Sequence, residues 1–288
     1  MSHLFVINPV SGDLDKALIR DQIDLKFDGH DFYYTSGSND KLLLGQKILD
    51  LSPQKIITVG GDGTVLLVAE TLQDIDKKIP IGIIPGGSAN GLSRDLEIPS
   101  AVESAIEKIL KSKSSIGLDL IKINDEYHCI HIGDAGINAR IVRDYANDER
   151  RGLFTYAKYF FEEIAKAEPF KAKIITDSRS FETEGYMFAI ANSMRYGTGV
   201  KINYVSDATD GLFEISILKE KGISTLLKAG LSALNIDFEE GNDQETISCK
   251  SAKIQFSHPV MFQVDGELVG KVSELEAKIL ESAIEVIV

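Results

Sequence analysis

Three short loops carry the residue types that could hold a phosphate. The sharpest is Val59-Gly60-Gly61-Asp62-Gly63-Thr64. Three glycines in four positions remove the Cβ atoms that would keep backbone amides from an anion, and the following helix start adds a favourable partial charge. Asp62 in that loop would repel a bare polyphosphate, so it makes chemical sense facing a Mg2+ ion or a substrate proton. The second loop is Ile83-Ile84-Pro85-Gly86-Gly87-Ser88-Ala89-Asn90-Gly91, and the third is Ile7-Asn8-Pro9-Val10-Ser11-Gly12. Plainer readings exist: a glycine turn for the first, and a helix start capped by Ser88 or Asn90 for the second. Asp265-Gly266-Glu267 places two carboxyl groups within three residues. The plainer reading there is a type I′ hairpin turn, which Asp-Gly favours.

The elements that must position these loops are legible in the hydrophobic pattern. Leu4–Ile7, Phe32–Tyr34, Lys55–Val59 and Ile81–Ile84 read as short buried strands, each followed by turn residues and then a helical pattern. Ser100-Ala101-Val102-Glu103 reads as a capping box, after which Val102, Ala105, Ile106, Ile109 and Leu110 share one helical face. Strands alternating with helices imply a parallel, doubly wound sheet, in which ligands bind at the loops leaving the strand C-termini. After about residue 115 the pattern changes. Asp119–Ile123, Tyr127–Ile132, Lys171–Ile175, Tyr186–Ala191, Leu212–Ile217, Lys253–Phe256, Val260–Val264, Leu275–Ile279 and Ala283–Ile287 are mostly period-2 strands. Many short alternating strands mean an antiparallel sandwich or barrel. One helix interrupts it, with Leu153, Ala157, Phe160 and Ile164 at helical spacing. The expected domains are an α/β nucleotide-binding domain over 1–118 and a β-rich substrate-binding domain over 119–288, whose last strands could return to the first.

Composition excludes several classes. The 288 residues include 31 Lys and Arg against 44 Asp and Glu, a formal charge of −13. That balance disfavours non-specific nucleic-acid binding, which needs surplus cations, and it should repel anionic lipid headgroups. Cys129 and Cys249 form no CxxC or Cys/His cluster, so neither a disulfide framework nor a zinc site is expected and a cytoplasmic setting is the default. The N-terminus lacks a basic region and a long apolar run, so a signal peptide is not expected, and no run reaches the ~18 residues of a spanning helix. There is no GxxxxGK[ST], no GxGxxG opening a helix, and no HRD or DFG set, which sets aside P-loop NTPases, Rossmann dehydrogenases and protein kinases.

In this order and spacing, Asn8-Pro9-x-Ser11-Gly12, Gly60-Gly61-Asp62-Gly63-Thr64 and Pro85-Gly86-Gly87-Ser88-x-Asn90 resemble the diacylglycerol kinase catalytic-domain superfamily. That superfamily includes sphingosine kinases and soluble bacterial lipid kinases. The resemblance continues through Gly117–Leu120, Gly133–Gly136, Ala191–Ser193, Asp210–Leu212 and Val264–Glu267. It implies an N-terminal three-layer α/β/α domain, NAD kinase-like, and a C-terminal antiparallel β-sandwich, with the active-site cleft between them. It implies an ATP- and Mg2+-dependent lipid kinase acting on a hydroxyl of diacylglycerol, a sphingoid base or a related lipid. The loop Gly60–Thr64, with Gly86, Gly87, Ser88 and Asn90, would hold ATP phosphates, near Asn8, Pro9, Ser11, Gly12 and Thr35. Asp62 and Asp119 would organise catalytic Mg2+, Glu267 would accept the proton, and Asp265 would be its acidic partner. A structural Mg2+ would take the Asp210 carboxylate with backbone carbonyls matching Asp207 and Leu212. The sequence departs from the bacterial pattern at Gly87-Ser88-Ala89-Asn90-Gly91, where many members have Gly-Thr-x-Asn-Asp. It departs again at Tyr196-Gly197-Thr198-Gly199, where a Gly-rich turn is usual, and at Tyr204-Val205-Ser206, where Pro-x-Ala is usual. An NAD kinase-like small-molecule kinase shares the Gly-Gly-Asp-Gly loop, but the Pro85–Gly91 loop and the Asp265–Glu267 placement argue against it. A nucleotide- or lipid-binding regulator without turnover is disfavoured by the presence of Asp62, Asp119, Asp265 and Glu267 together.

A lipid acceptor requires transient, peripheral contact with a membrane surface. Between Arg140 and Lys173 lie eight basic and six acidic residues, a local excess of positive charge in an acidic chain, with Phe154, Tyr156, Tyr159, Phe160 and Phe161 among them. Basic and aromatic residues suit an interface, so this stretch is expected to help admit the lipid, the plainer reading being that the aromatics pack the β domain. A homodimer is left open. Changing Arg150 and Arg151 together to Glu should lower turnover on lipid vesicles by several-fold; unchanged turnover would remove this stretch from lipid admission.

Overall fold

Apolar runs of three to five residues, too short to bury a helix face, become the strands of the first unit. These are β1 (His3–Ile7), β2 (His30–Tyr34), β3 (Lys55–Gly60) and β4 (Ile81–Pro85). The structure is a computed structural model, and it describes residues 2–12, 15–87, 90–112, 114–147, 158–159, 162–193, 206–219 and 244–288. The chain forms two units, Met1–Leu120 with Glu281–Val288, and Ile121–Leu280. In the first, β2, β1, β3 and β4 are hydrogen-bonded in that order and all parallel, and Val286 pairs in parallel with Ile81 of β4.

Alternation along each strand feeds two layers. Phe5, Ile7, Ile57, Val59 and Ile84 meet Ile19 and Ile23 of α1 (Lys16–Lys26) and Ala105, Ile106 and Ile109 of α5 (Val102–Lys111). Helices α2 (Asp40–Leu51) and α3 (Asp62–Asp74) bury Leu44, Ile48, Val65, Val68 and Leu72. Helix α4 (Gly91–Asp95) is a single turn. Two details of α5 differ from the sequence pattern. Its N-cap is Ala101, which makes no side-chain cap bond, so Ser100 lies one residue before the N-cap and the expected capping box does not form. Leu110 is 45% exposed, whereas Ala105, Ile106 and Ile109, with Val102 beside them, make the contact with the sheet.

Strand β5 (Ser115–Ile123) leads into the second unit. There follow β6 (Tyr127–Cys129), β7 (Ile132–Gly136), α6 (Ile137–Asn147), β8 (Phe170–Thr176), β9 (Ser180–Gly185) and β10 (Met187–Ala191). The last strands are β11 (Phe213–Leu218), β12 (Gln244–Cys249), β13 (Ser251–Val264) and β14 (Glu267–Ile287). An antiparallel ladder runs β12-β11-β10-β7-β13-β14. Both halves of β13 pair with β14, but on the other side the first half pairs with β8 and the second with β7, and β8 pairs with β9, so one long strand serves two ladders. Phe170, Phe188, Phe256 and Phe262 fill that core, with Phe170 and Phe188 ring centroids 5.1 Å apart. Cys129 and Cys249 are free thiols within it.

Three strand readings change. The run Tyr127–Ile132 is not one strand: it breaks at Ile130 and His131, whose amides turn to a side chain described below. The two runs in 253–264 are one strand, and those in 275–287 are one strand, with register shifts that insert extra residues between paired segments. Strands β7, β9 and β12 were not expected, β7 because glycine and Asp are poor strand formers on their own. Its neighbours β10 and β13 hold it on both sides. The helix expected around 153–164 lies mostly outside the described residues.

At the end of β7, Gly136 has φ +117, and a Cβ there would sit 2.5 Å from the Tyr186 carbonyl oxygen. Gly136→Ala should therefore lower the unfolding free energy by about 1–3 kcal/mol, read as a lower urea midpoint. An unchanged midpoint would contradict this turn.

Candidate active site

Strand register brings four loops level. Ile7 lies opposite Tyr34 and Val59, and Gly60 opposite Pro85. Amides then lace the strand ends together: Asn8 N to Val59 O at 3.0 Å, Thr35 N to Ile7 O at 2.9 Å, and Gly86 N to Gly60 O at 2.8 Å. Asn8, Thr35, Gly61 and Gly86 thus leave the sheet side by side at its carboxyl edge, where open α/β sheets bind ligands. The loops touch backbone to backbone. Gly12, at φ +55, leaves no space for a Cβ against the Gly86 carbonyl, and a Cβ on Gly87 would stand 2.5 Å from Gly61 Cα. Ser11 Oγ donates to Asn8 O at 3.1 Å, and Asn8 Oδ1 accepts from Val10 N at 3.1 Å, while Pro9 is exposed. Gly60 fits only without a side chain beside Thr64, and Gly63 faces open space. Ser88 lies outside the described residues.

Sequence reasoning missed Lys16. Its Nζ donates to Ser11 O at 2.8 Å and Gly86 O at 3.4 Å, and burial lowers its pKa. It puts a cation among the glycine loops. The available signal was a lysine in the first turn of α1, where the helix dipole disfavours positive charge. Asp40 was missed too. It accepts from Ser36 N at 3.0 and 2.9 Å, Gly37 N at 2.8 Å and Tyr33 Oη at 2.9 Å, and so shapes the loop that follows Thr35. Burial and then the Asp40 hydrogen bond push the Tyr33 hydroxyl pKa up to about 12.

The acids of this unit serve the backbone. Asp62 Oδ2 accepts from Gly91 N at 2.8 Å and Oδ1 from Leu92 N at 3.2 Å, so Asp62 caps α4 from a distant loop. Asn90 occupies the N-cap position but uses its carboxamide on Gly87, accepting from its N at 2.9 Å and donating to its O at 2.7 Å. The capping role expected of Ser88 or Asn90 is thus filled by Asp62. Asp119, 2% exposed, accepts from Ser282 N at 2.7 Å and holds Ser282 at φ +46.

In the second unit, Asp265 and Gly266 have φ +48 and +89 and Val264 pairs with Glu267, which is the type I′ hairpin. The turn carries more than a hairpin needs. The Asp265 carboxyl accepts from Ile130 N at 2.8 Å, His131 N at 2.9 Å and Ile132 N at 3.1 Å, with Cys129 Sγ at 3.4 Å. This is the side chain that breaks the expected 127–132 strand. Asn192 steadies the same segment, its N donating to His131 O at 2.8 Å and its Nδ2 to Ile130 O at 3.2 Å. Glu267 is exposed and makes no side-chain hydrogen bond or ion pair among the described residues.

Before β11, Asp207 Oδ1 accepts from Thr209 N at 3.0 Å and Asp210 Oδ1 from Leu212 N at 2.9 Å. Asp210 N donates to Asp207 O at 3.3 Å. These turns close on their own amides. Ser206 donates to the buried carboxyl of Glu214, giving the hydroxyl at this departure from the bacterial pattern a partner; Tyr204 and Val205, like 196–199, lie outside the described residues. Among the described residues no three His, Cys, Asp or Glu side chains group as a metal cage. The oxygen donors present are hard and dispersed. They fit Mg2+ that keeps its waters and arrives with phosphates, which needs only one or two carboxylates.

In the basic stretch, Arg140 pairs with Glu163 at 2.9 Å and Arg143 with Asp144 at 2.6 Å, so these cations are already partnered. Arg150, Arg151, Phe154, Tyr156, Phe160 and Phe161 lie outside the described residues. Among the described residues no helix is long and apolar enough to cross a membrane.

The described residues thus form a doubly wound unit with glycine loops at its carboxyl edge and a β-sandwich unit bearing an Asp-Gly-Glu turn. Residues 2–123 match the family described as diacylglycerol kinase catalytic domain, and residues 132–288 match the YegS C-terminal NAD kinase beta sandwich-like domain. The chain belongs to the diacylglycerol kinase catalytic-domain superfamily. It is 28% identical over 225 residues to "Diacylglycerol kinase" of Bacillus subtilis, covering 75% of this chain and 71% of the relative. It is 28% identical over 243 residues to "Probable lipid kinase YegS-like" of Yersinia pseudotuberculosis, covering 82% and 79%. In structure it is similar to a putative diacylglycerol kinase from Bacillus anthracis, with a TM-score of 0.82 at 24% identity, over 99% of this chain and 96% of that one.

Removing the Asp62 cap should be felt before any chemistry. Asp62→Ala should lower stability by about 1–2 kcal/mol, read by chemical denaturation, with Asp62→Asn recovering part of it because an amide oxygen can still accept. Equal stability of all three proteins would show that the cap contributes nothing.

Proposed function

We propose that the chain is an ATP- and Mg2+-dependent lipid kinase that phosphorylates a hydroxyl of diacylglycerol, a sphingoid base or a related lipid. The observation that supports it most is the carboxyl edge of the parallel sheet, where the loops carrying Asn8, Ser11, Gly12, Thr35, Gly60–Thr64, Gly86, Gly87 and Asn90 leave side by side and the Lys16 ammonium bonds the carbonyls of Ser11 and Gly86. Glycine loops at a helix N-terminus plus one cation suit a polyphosphate. In this reading 1–118 is the nucleotide-binding domain and 119–288 the substrate-binding domain, and the chain meets the membrane transiently from the cytoplasm.

The acceptor oxygen attacks the γ-phosphorus, the bond from phosphorus to the ADP oxygen breaks, and the hydroxyl proton passes to Glu267. Glu267 suits that role because its carboxyl has no competing partner among the described residues. Mg2+ would offset charge on the phosphates. Asp62 and Asp119 would face its waters, each through lone pairs beyond those their amides use. Asp265 would set the Glu267 turn as its acidic neighbour. A second ion would take the Asp210 carboxylate and the Asp207 and Leu212 carbonyls.

Incubation with γ-labelled ATP, Mg2+ and a total lipid extract, followed by identification of the labelled product, tests the reading. Label should enter a lipid alcohol, and Glu267→Gln should lower turnover by roughly 10²–10⁴-fold. Label in a dinucleotide instead would make the chain an NAD kinase-like enzyme, and ATP binding without transfer to any acceptor would make it a regulator.

A further inference from the structure

We propose that Gln263, Asp134 and Asn138 are positioning residues for the Glu267 turn, a relay of hydrogen bonds running from the first turn of α6 to the hairpin. The inference rests on the reading of Glu267 as proton acceptor. Gln263 and Asp134 face each other across the β13–β7 ladder, in register. Gln263 Nε2 donates to Asp134 Oδ2, and on its other side Gln263 Oε1 accepts from the Gly266 amide at 2.7 Å. Asn138 Nδ2 donates to the same Asp134 oxygen at 2.6 Å. The sharp turn at Gly136 is what folds the first turn of α6 back over β7, so that residue 138 meets residue 134.

Stability does not call for this arrangement. Asp134 is fully buried and Gln263 is 1% exposed, in a strand pair whose neighbours are Ala135, Phe262 and Val264. Buried polar groups cost free energy unless bonded, and apolar side chains of similar size often stabilise as well or better. What the relay does and an apolar pair could not do is grip the Gly266 amide. Gly266 lies between Asp265, whose carboxyl is fixed by three amides, and Glu267, whose carboxyl is not held. The turn is therefore fixed at two successive residues from two different directions. One residue past Leu268, the register of β14 against β13 shifts between Phe262 and Gln263, a bulge of the kind that re-aims side chains beside active sites. Asp265 orients one side of the turn and Gln263 the other, which leaves Glu267 free in its carboxyl but fixed in its backbone.

Gln263→Met keeps side-chain length and removes both hydrogen bonds. With the lipid acceptor identified by the labelling experiment, kcat should fall at least ~10-fold, as small misplacements of a reacting group do, while KM for ATP stays within about twofold. In a Glu267→Gln background the same change should have no further effect, because the relay acts through Glu267. A kcat unchanged by Gln263→Met alongside a lowered Tm overturns the proposal, as does an equal loss in both backgrounds. If Gln263→Met does not fold, Asn138→Ala replaces it, and a loss of kcat at unchanged Tm supports the relay while wild-type kcat overturns it. Wild-type kcat in Glu267→Gln alone is a different result: it removes Glu267 as proton acceptor, and the relay with it.

Discussion

Backbone amides stranded where strands end and short helices begin must find acceptors, and in this chain aspartate carboxyls take them. Asp62 takes two amides of α4, Asp265 takes two between β6 and β7 and the first of β7, Asp40 takes two after β2, and Asp119 takes the amide of Ser282, where β14 carries a residue at positive φ. A carboxylate bonded to N–H groups makes shorter and stronger hydrogen bonds than a neutral acceptor. In both units the loops proposed to touch substrate are anchored this way. The four aspartates add to the backbone bonds that already tie these loops to the strand ends and to the hairpin.

This constraint separates two jobs that sequence motifs run together. An acid in a motif invites assignment to metal or proton chemistry. Asp62 and Asp265 can serve such chemistry only with what their amide contacts leave over, and Asp265 already has three amides and a thiol around it. Glu267 differs in kind. It sits on the same turn, yet its carboxyl is exposed and makes no side-chain bond among the described residues. A general base needs an accessible lone pair and a fixed position, and those demands conflict within one side chain. In the proposed reading, dividing them between Glu267 and its neighbours resolves the conflict.

Legibility followed the range of the interactions. The four parallel strands and their glycine loops were readable because apolar runs and turn residues are local signals, and the register then placed the loops on one edge. The type I′ turn at Asp265-Gly266 was readable for the same reason. What anchors it was not: Ile130, His131 and Ile132 lie more than 130 positions away in sequence. Their amides split a run of six strand-like residues into two strands, which no local pattern announces. Likewise α4 is capped by a residue 29 positions upstream rather than by Asn90 at its own start. Lys16 left only an awkward trace, a cation where the helix dipole disfavours one.

Charge behaves in the same way. A balance of 31 cations to 44 acids counts against polyanions when taken as a sum. Its arrangement reverses that at one place. Asp40, Asp62, Asp119 and Asp265 face amide donors, so their charge is met by backbone dipoles rather than projected toward the glycine loops. Lys16, held by carbonyl oxygens and by no carboxylate among the described residues, keeps its positive charge unneutralised at the edge where those loops meet. Arg140 and Arg143, by contrast, sit in a stretch of positive balance yet are each paired to an acid. An anion is attracted by charge that is unpaired within a few ångströms, since solvent and salt screen the remainder. By that criterion the charge an anion would meet at this edge is set by Lys16 and the loop amides rather than by the net charge of −13.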